Sequence, residues 1–307
     1  MLDALEAEPG TPTVRVGTQE LPCRVRHRQS GLALVLVPPR SFTLGSPPDE
    51  GETDERPQRQ LALRRPLWFG QGPVTVRQWR SFAASRPPVG PGCTGFLVDG
   101  AVEWRHDVRA TFVDPLPYLG AMPGDDHPVT QVSWHDAQDF CARHGMRLPT
   151  EPEFECVLRA GVATRYPWGD DPAGAAGRGN WSDRSLRRRF DHWRVQGRLL
   201  DLPAFAHDDG YVFTSPVGAF PANAFGLFDV GGNVWEWCAD AYLERAYDLA
   251  DRDPHAPLAE GVRRVLRGAS WDNGPRGARS ARRYHEQPSL RHGNIGFRVV
   301  YDPQHDG

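Results

Sequence analysis

The sequence predicts an α+β fold in which loop outweighs regular secondary structure. Three observations carry this. Short apolar runs of strand length are scattered along the chain, two or three amphipathic stretches open with helix-capping residues, and the second half is long and irregular. Composition agrees: the 307 residues include Gly 32 and Pro 29, together about a fifth of the chain against an average near 12%. Trp, at 10, is also generous, which suits a loop-rich globule pinned by aromatics. Length alone allows one large domain or two ordinary ones.

Taken in order, residues 1–30 lack sustained periodicity and read as an N-terminal extension. "LALVLVPPRSFTLGS" (Leu32 to Ser46) reads as a buried strand, a proline break and a second short strand ending in a turn. The charged loop "PDEGETDERPQRQ" follows, then the strand "LALRRPLWFG". "VTVRQWRSFAAS" starts a helix, because Thr75 and Gln78 stand at capping-box spacing, and its buried face is Val76, Trp79 and Phe82. From Arg86 to Asp126 runs a proline- and glycine-rich insertion of about forty residues, too long for a plain connection. It is expected to carry small elements or to cover a site.

"SWHDAQDFCARHG" places Trp134, Ala137, Phe140, Cys141 and His144 near one helical face, with Ser133 as cap and Gly145 as stop. "TEPEFECVLRAG" repeats the pattern with a second capping box, Thr150 and Glu153. Cys141 and Cys156 then read as core packing residues, the usual place for a free cysteine. The remainder alternates charged, turn-rich and aromatic segments, and closes with "RVLRGASWDNGPRGARSARR" and "HGNIGFRVV", two strands flanking a polar run with no core face.

Several function classes are excluded. All 36 basic residues are arginine, yet net charge is only -3 and the pI about 6.4, so neither a nucleic-acid nor a membrane footprint follows. The start "MLDALEAEPGTPTV" is acidic and lacks a leader's basic and apolar regions, and no apolar run approaches the roughly 18 residues of a membrane span. A soluble, cytoplasmic protein is expected. The five cysteines (Cys23, Cys93, Cys141, Cys156, Cys238) form no C-x-x-C pair, so neither a zinc knuckle nor a disulfide framework is signalled. G-x-S-x-G and phosphate-loop motifs are absent.

The ordered blocks "VLVPPRSFTLGS", "HPVTQVSWHDAQDFCARHGMRLPTEPEFECVLRAG", "YPWGDD", "ANAFGLFDVGGNVWEWCADAY" and "RVLRGASWDN…NIGFRVV" resemble the formylglycine-generating, or sulfatase-modifying factor, domain family. The resemblance implies a degenerate C-type-lectin-like α+β fold over residues 31–303, an extension over 1–30 and a tail of 304–307. It also implies two structural calcium sets. One is Asn180, the Trp181 carbonyl, Asp209 and the Tyr211 carbonyl; the other is Asp229, the Gly232 and Val234 carbonyls and Glu236. Carboxylates mixed with carbonyls are what a hard cation prefers, whereas the turns "DDG" and "DVGGN" taken alone are ordinary turn chemistry.

Catalytic members of that family oxidise a substrate cysteine with copper(I) held by two cysteines, the first three positions after the serine of the Gly-Ser-aromatic turn. Counted from Ser270, those positions are Asn273 and Ala278. Copper(I) needs soft thiolates, which an amide and a methyl group cannot replace. Of the cysteines present, Cys238 is the one that could approach in space. Ser270 and Trp235 match pocket-lining family positions.

Two functions compete. The final block also resembles the variable proteins of diversity-generating retroelements, which keep a framework while intervening positions vary. It equally resembles non-diversified family members, so what separates binder from enzyme is the loss of both thiols with the framework kept, and the chain is expected to be a non-catalytic module that binds a protein or small-molecule ligand. Arg276, Arg279, Arg283, Tyr284, His285, Leu290 and His292 would be displayed between the inward framework residues Trp271, Ile295 and Phe297. The alternative is an oxidoreductase of the same superfamily. A non-heme iron oxygenase resembling the ergothioneine-type sulfoxide synthases would need a set such as His285, Glu286 and His292; a formylglycine-generating oxidase would need the missing thiols.

Overall fold

The structure is a computed structural model describing residues 3–86, 90–190, 192–195, 198–249, 253–259 and 261–304. It is sheet-rich with few helices and much loop, as the sequence predicts. The stretch read as an extension folds onto the rest. It carries β1 (Leu5–Ala7), β2 (Thr13–Val16), β3 (Gln19–Pro22) and β4 (Arg24–His27), and Leu5, Leu21 and Val25 lie in the core. Strands this short span too few residues for alternation to show in sequence.

The Pro38–Pro39 break separates β5 (Ala33–Val37) from β6 (Arg40–Leu44), because proline removes a ladder donor. β7 (Arg59–Leu63) pairs with β6, and β8 (Leu67–Gly70) pairs with β5. The helix α1 (Val76–Ser85) opens with the expected capping box and buries Val76, Trp79 and Phe82. The proline- and glycine-rich insertion then forms a hairpin of β9 (Gly92–Val98) and β10 (Ala101–Asp107).

The helices α2 (Trp134–Arg143) and α3 (Glu151–Arg159) start at the capping boxes of Ser133 and Thr150. Trp79, Phe140 and Phe297 stack α1 and α2 on the C-terminal framework at centroid distances of 5.6 and 5.4 Å along the row. Truncating any one of these rings would cost about 3–5 kcal/mol. Every residue of α3 is buried, including Glu151, Glu153 and Glu155, so each carboxylate requires a cation.

A second insertion contributes α4 (Arg184–Arg189), β11 (His192–Val195) and β12 (Arg198–Asp201). These join the first hairpin in a sheet of order β12-β11-β10-β9. The last elements are β13 (Trp235–Ala241), β14 (Arg264–Arg267), β15 (Tyr284–Glu286), β16 (Ile295–Gly296) and β17 (Val300–Tyr301). They build the sheet β15-β14-β13-β16, while β17 pairs with β8 and completes β1-β4-β5-β8-β17. Chain start and chain end thus share one sheet. No helix among the described residues is long and apolar enough to cross a membrane.

Candidate functional site

The polar run after β14 walls a cleft of about 490 Å3. The turn starts at Gly268, whose φ of +93 is left-handed and whose missing Cβ would lie 2.8 Å from the Val230 carbonyl oxygen. Ser270 follows, fully buried. Its Oγ donates to Asp272 Oδ1 at 2.5 Å, and its amide donates to Asn273 Oδ1 at 3.0 Å. Asn294 Nδ2 donates to Asp272 Oδ2 at 3.0 Å, tying this turn to the strand pair beyond it. Burial pushes the Asp272 carboxyl up, against the pull of the Ser270 and Asn294 hydrogen bonds.

Trp104, Trp235, Tyr284 and His292 complete the aromatic part of the wall. Trp104 comes from β10, so the first insertion does cover the site. The Trp235 and Tyr284 rings lie 5.3 Å apart, and Trp104 and His292 4.3 Å apart. Burial, with the His106 charge, holds the His292 imidazole down at about 4 against its Asn294 hydrogen bond, so it is neutral near pH 7. Burial and Glu286 push the Tyr284 phenol up to about 12.

Trp235 lines the cleft, whereas Ser270 sits behind the wall and positions Asp272. Asn273 is in the wall; Ala278 is packed in the core. Cys238 is fully buried on β13 in the second core cluster, whereas Ala278 packs in the first. Cys93 borders residues 291 and 292, its amide donating to the Arg291 carbonyl at 2.7 Å opposite His292. Burial, then Glu286, push the Cys93 thiol up to about 11, which removes its thiolate.

The predicted display surface needs correction at two positions. Arg279 and Arg283 are buried. Arg279 grips Glu55 through two bonds of 2.5 and 2.7 Å, and Arg283 grips Glu151 at 2.6 and 3.0 Å. Lack of periodicity hid these residues, because long-range ion pairing leaves no mark in local spacing. Arg276 and Tyr284 are exposed; His285, Leu290 and His292 are half-buried. Trp271, Ile295 and Phe297 point inward, as expected.

The iron set is not assembled. On β15 neighbouring side chains point to opposite faces. Tyr284 donates to Glu286 Oε1 at 3.1 Å on one face, while His285 packs on Tyr242 at 3.9 Å on the other. Among the described residues, the group that converges for a metal is elsewhere: Asp183, His207 and Asp209, with ligand atoms within 4.8 Å of one another.

That group adjoins the first calcium set. Asn180 is buried, its Nδ2 donates to the Phe213 carbonyl at 2.7 Å, and its Oδ1 has no protein partner. Asp209 accepts from the amides of Trp181 at 2.9 Å and Tyr211 at 2.8 Å. Burial, with Asp183 and Asp208 nearby, pushes its carboxyl up to about 7 against those amide bonds. Sequence reading missed Asp183, whose place as the cap of α4 was its available signal. In the second set, Asp229 Oδ1 is buried without a partner. Glu236, however, is held at both oxygens by Arg298 at 2.7 Å. The first set therefore fits a hard cation, and the second offers less net charge to one.

Residues 20–303 match the sulfatase-modifying factor enzyme 1-like domain family. The chain is 31% identical to the formylglycine-generating enzyme of Thermomonospora curvata, over 88% of this chain and 93% of that one. It is also 31% identical to the inactive C-alpha-formylglycine-generating enzyme 2 of Mus musculus, over 87% and 85%. It spans about half, 53%, of the formylglycine-generating enzyme of Streptomyces coelicolor, to which it is 37% identical over 58% of its own length. Among solved structures, PvdO from Pseudomonas aeruginosa superposes with a TM-score of 0.68 at 27% identity, covering 89% of this chain and 95% of that one. Treponema denticola variable protein 1 shares the fold, with a TM-score of 0.61 at 19% identity over 95% and 99%.

Proposed function

This chain belongs to the sulfatase-modifying factor enzyme 1-like domain family, and within that family we propose that it is a non-catalytic binding module. It would hold a protein or small-molecule ligand at the cleft and the exposed part of the C-terminal loop. One observation carries the reading: the cleft and its framework are intact, while the two thiol positions are an amide, Asn273, and a core methyl, Ala278. A binding surface tolerates that exchange and a copper(I) site does not. Cys93, which borders His292, is buried, and burial holds its thiol protonated near pH 7.

Calcium is proposed as a structural ion, first at Asn180, Trp181, Asp209 and Tyr211, and second at Asp229, Gly232, Val234 and Glu236. There it would cross-link loops that few strands hold. Asp183 stands beside the first set and would add its carboxylate to it. All five cysteines are free, which supports a reducing, cytoplasmic setting.

The test uses the exposed and half-exposed positions Arg276, Tyr284 and Leu290. Replacing the three together by alanine is expected to leave the melting temperature nearly unchanged and to weaken capture of a cellular ligand. Unfolding of the variant, or undiminished capture, contradicts the proposed surface.

A further inference from the structure

Among the described residues, Asp272 is the carboxylate that lines the cleft, and no cation pairs with it. The buried glutamates are treated otherwise: Glu55 meets Arg279 at 2.5 Å, Glu151 meets Arg283 at 2.6 Å, and Glu153 meets Arg147 at 2.7 Å. Glu155 and Arg267 lie 2.5 Å apart, Glu236 and Arg298 2.7 Å. Among the described residues, Asp272's partners are the neutral groups of Ser270 and Asn294. The two arginines of the cleft mouth are engaged by acids outside it. Arg276 Nε donates to Glu52 Oε1 at 2.9 Å, and Arg282 Nη1 lies 3.7 Å from the same oxygen.

The same cleft is lined by aromatic rings, and the Asp272 charge acts on one of them, Tyr284. Trp104 backs onto His292 and Trp235 onto Tyr284, and all four rings line the cleft. Neutral His292 adds no competing charge. A charge lodged away from water is costly unless it is paired, and an ammonium over indole or phenol faces is attracted by the ring quadrupoles.

We infer that the cleft takes an organic cation, a primary or N-methylated alkylammonium group, with Asp272 as counter-charge and Trp104, Trp235 and Tyr284 as walls. This rests on the reading of the cleft as the binding site and names its ligand class. A free amine and a lysine side chain presented by a protein share this chemistry.

The test is a tryptophan-fluorescence titration of the full chain with three probes of one shape: choline, its neutral carbon isostere 3,3-dimethylbutan-1-ol, and the anion 3,3-dimethylbutanoate. Choline is expected to bind saturably, the neutral isostere roughly tenfold more weakly, and the anion more weakly still. Asp272→Asn is expected to lose roughly tenfold for choline and little for the alcohol. If Asp272→Asn fails to fold, Tyr284→Ala, on the outer strand β15, is expected to weaken choline several-fold. A glycine-flanked lysine peptide tested alongside separates the sources: binding of the peptide points to a presented lysine, and choline alone to a free amine. Equal or tighter binding of the alcohol or the anion overturns the cation and leaves the cleft as a binding site. Choline binding that neither variant weakens also overturns it. Silence from all three probes removes both readings.

Discussion

Arg283 and Glu151 meet in the core as a two-point ion pair, Nε to Oε1 at 2.6 Å and Nη2 to Oε2 at 3.0 Å, with neither side chain reaching solvent. The pair ties the C-terminal loop to the first turn of α3, where a carboxylate also faces the positive end of the helix. Arg267 repeats the tie on Glu155. One residue along from Arg283, Tyr284 opens β15 and lines the cleft, so of two adjacent residues one fastens and the next is presented.

Arg283→Met is therefore expected to lose roughly 3–5 kcal/mol, because it removes the cation that grips Glu151 at both oxygens in the core. Tyr284→Ala should change stability by no more than about 1 kcal/mol. Urea midpoints compare the two, and equal losses would mean that Arg283 is not a fastening residue.

Acid should release another tie. Burial pushes the Glu153 carboxyl up, but Arg147 and His255 outweigh this and hold it at about 2, below the ordinary 4.5. Arg147 donates to it at 2.7 and 2.8 Å. A depressed folded-state pKa means that the stabilisation is complete above pH 4.5 and drains away as pH falls from there toward 2, on the order of 2–3 kcal/mol in all. The stability difference between wild type and Glu153→Gln, followed by urea melts, should shrink over that window. A difference constant from pH 6 to 3 contradicts the assignment.

Calcium at a hundredfold excess over its Kd is expected to add about 2.7 kcal/mol, a rise of roughly 5 °C in melting temperature over the chelated protein. Asn180→Ala with Asp209→Asn should abolish the rise. Asp229→Asn should remove less of it, since Arg298 already neutralises Glu236. Identical melts with calcium and chelator would remove the structural-ion proposal.

A Cys-x-Pro-x-Arg peptide is expected to remain unconverted after incubation with protein loaded with copper(I), because Asn273 and Ala278 supply no thiolate. Peptide mass reads the outcome. Conversion that Cys93→Ala abolishes would place a copper site beside His292 instead.

How far the sequence reveals all this depends on the range of each interaction. Helix caps at Thr75, Ser133 and Thr150 are local, and each was readable to the residue. The inward framework of Trp271, Ile295 and Phe297 was readable because it flanks a recognisable turn. Arg279 and Arg283 were misplaced on the surface because their partners, Glu55 and Glu151, lie far away in sequence. Asp183 and His207 were missed for the same reason: they meet Asp209 only after α4 turns the chain back. Strands of three or four residues before residue 30 hold too little pattern to read.

The central claim, a family member that binds and does no redox chemistry, meets its most direct test in metal analysis of the purified chain by mass spectrometry. The expected result is calcium, with copper and iron far below one atom per chain. Stoichiometric copper or iron would contradict the account.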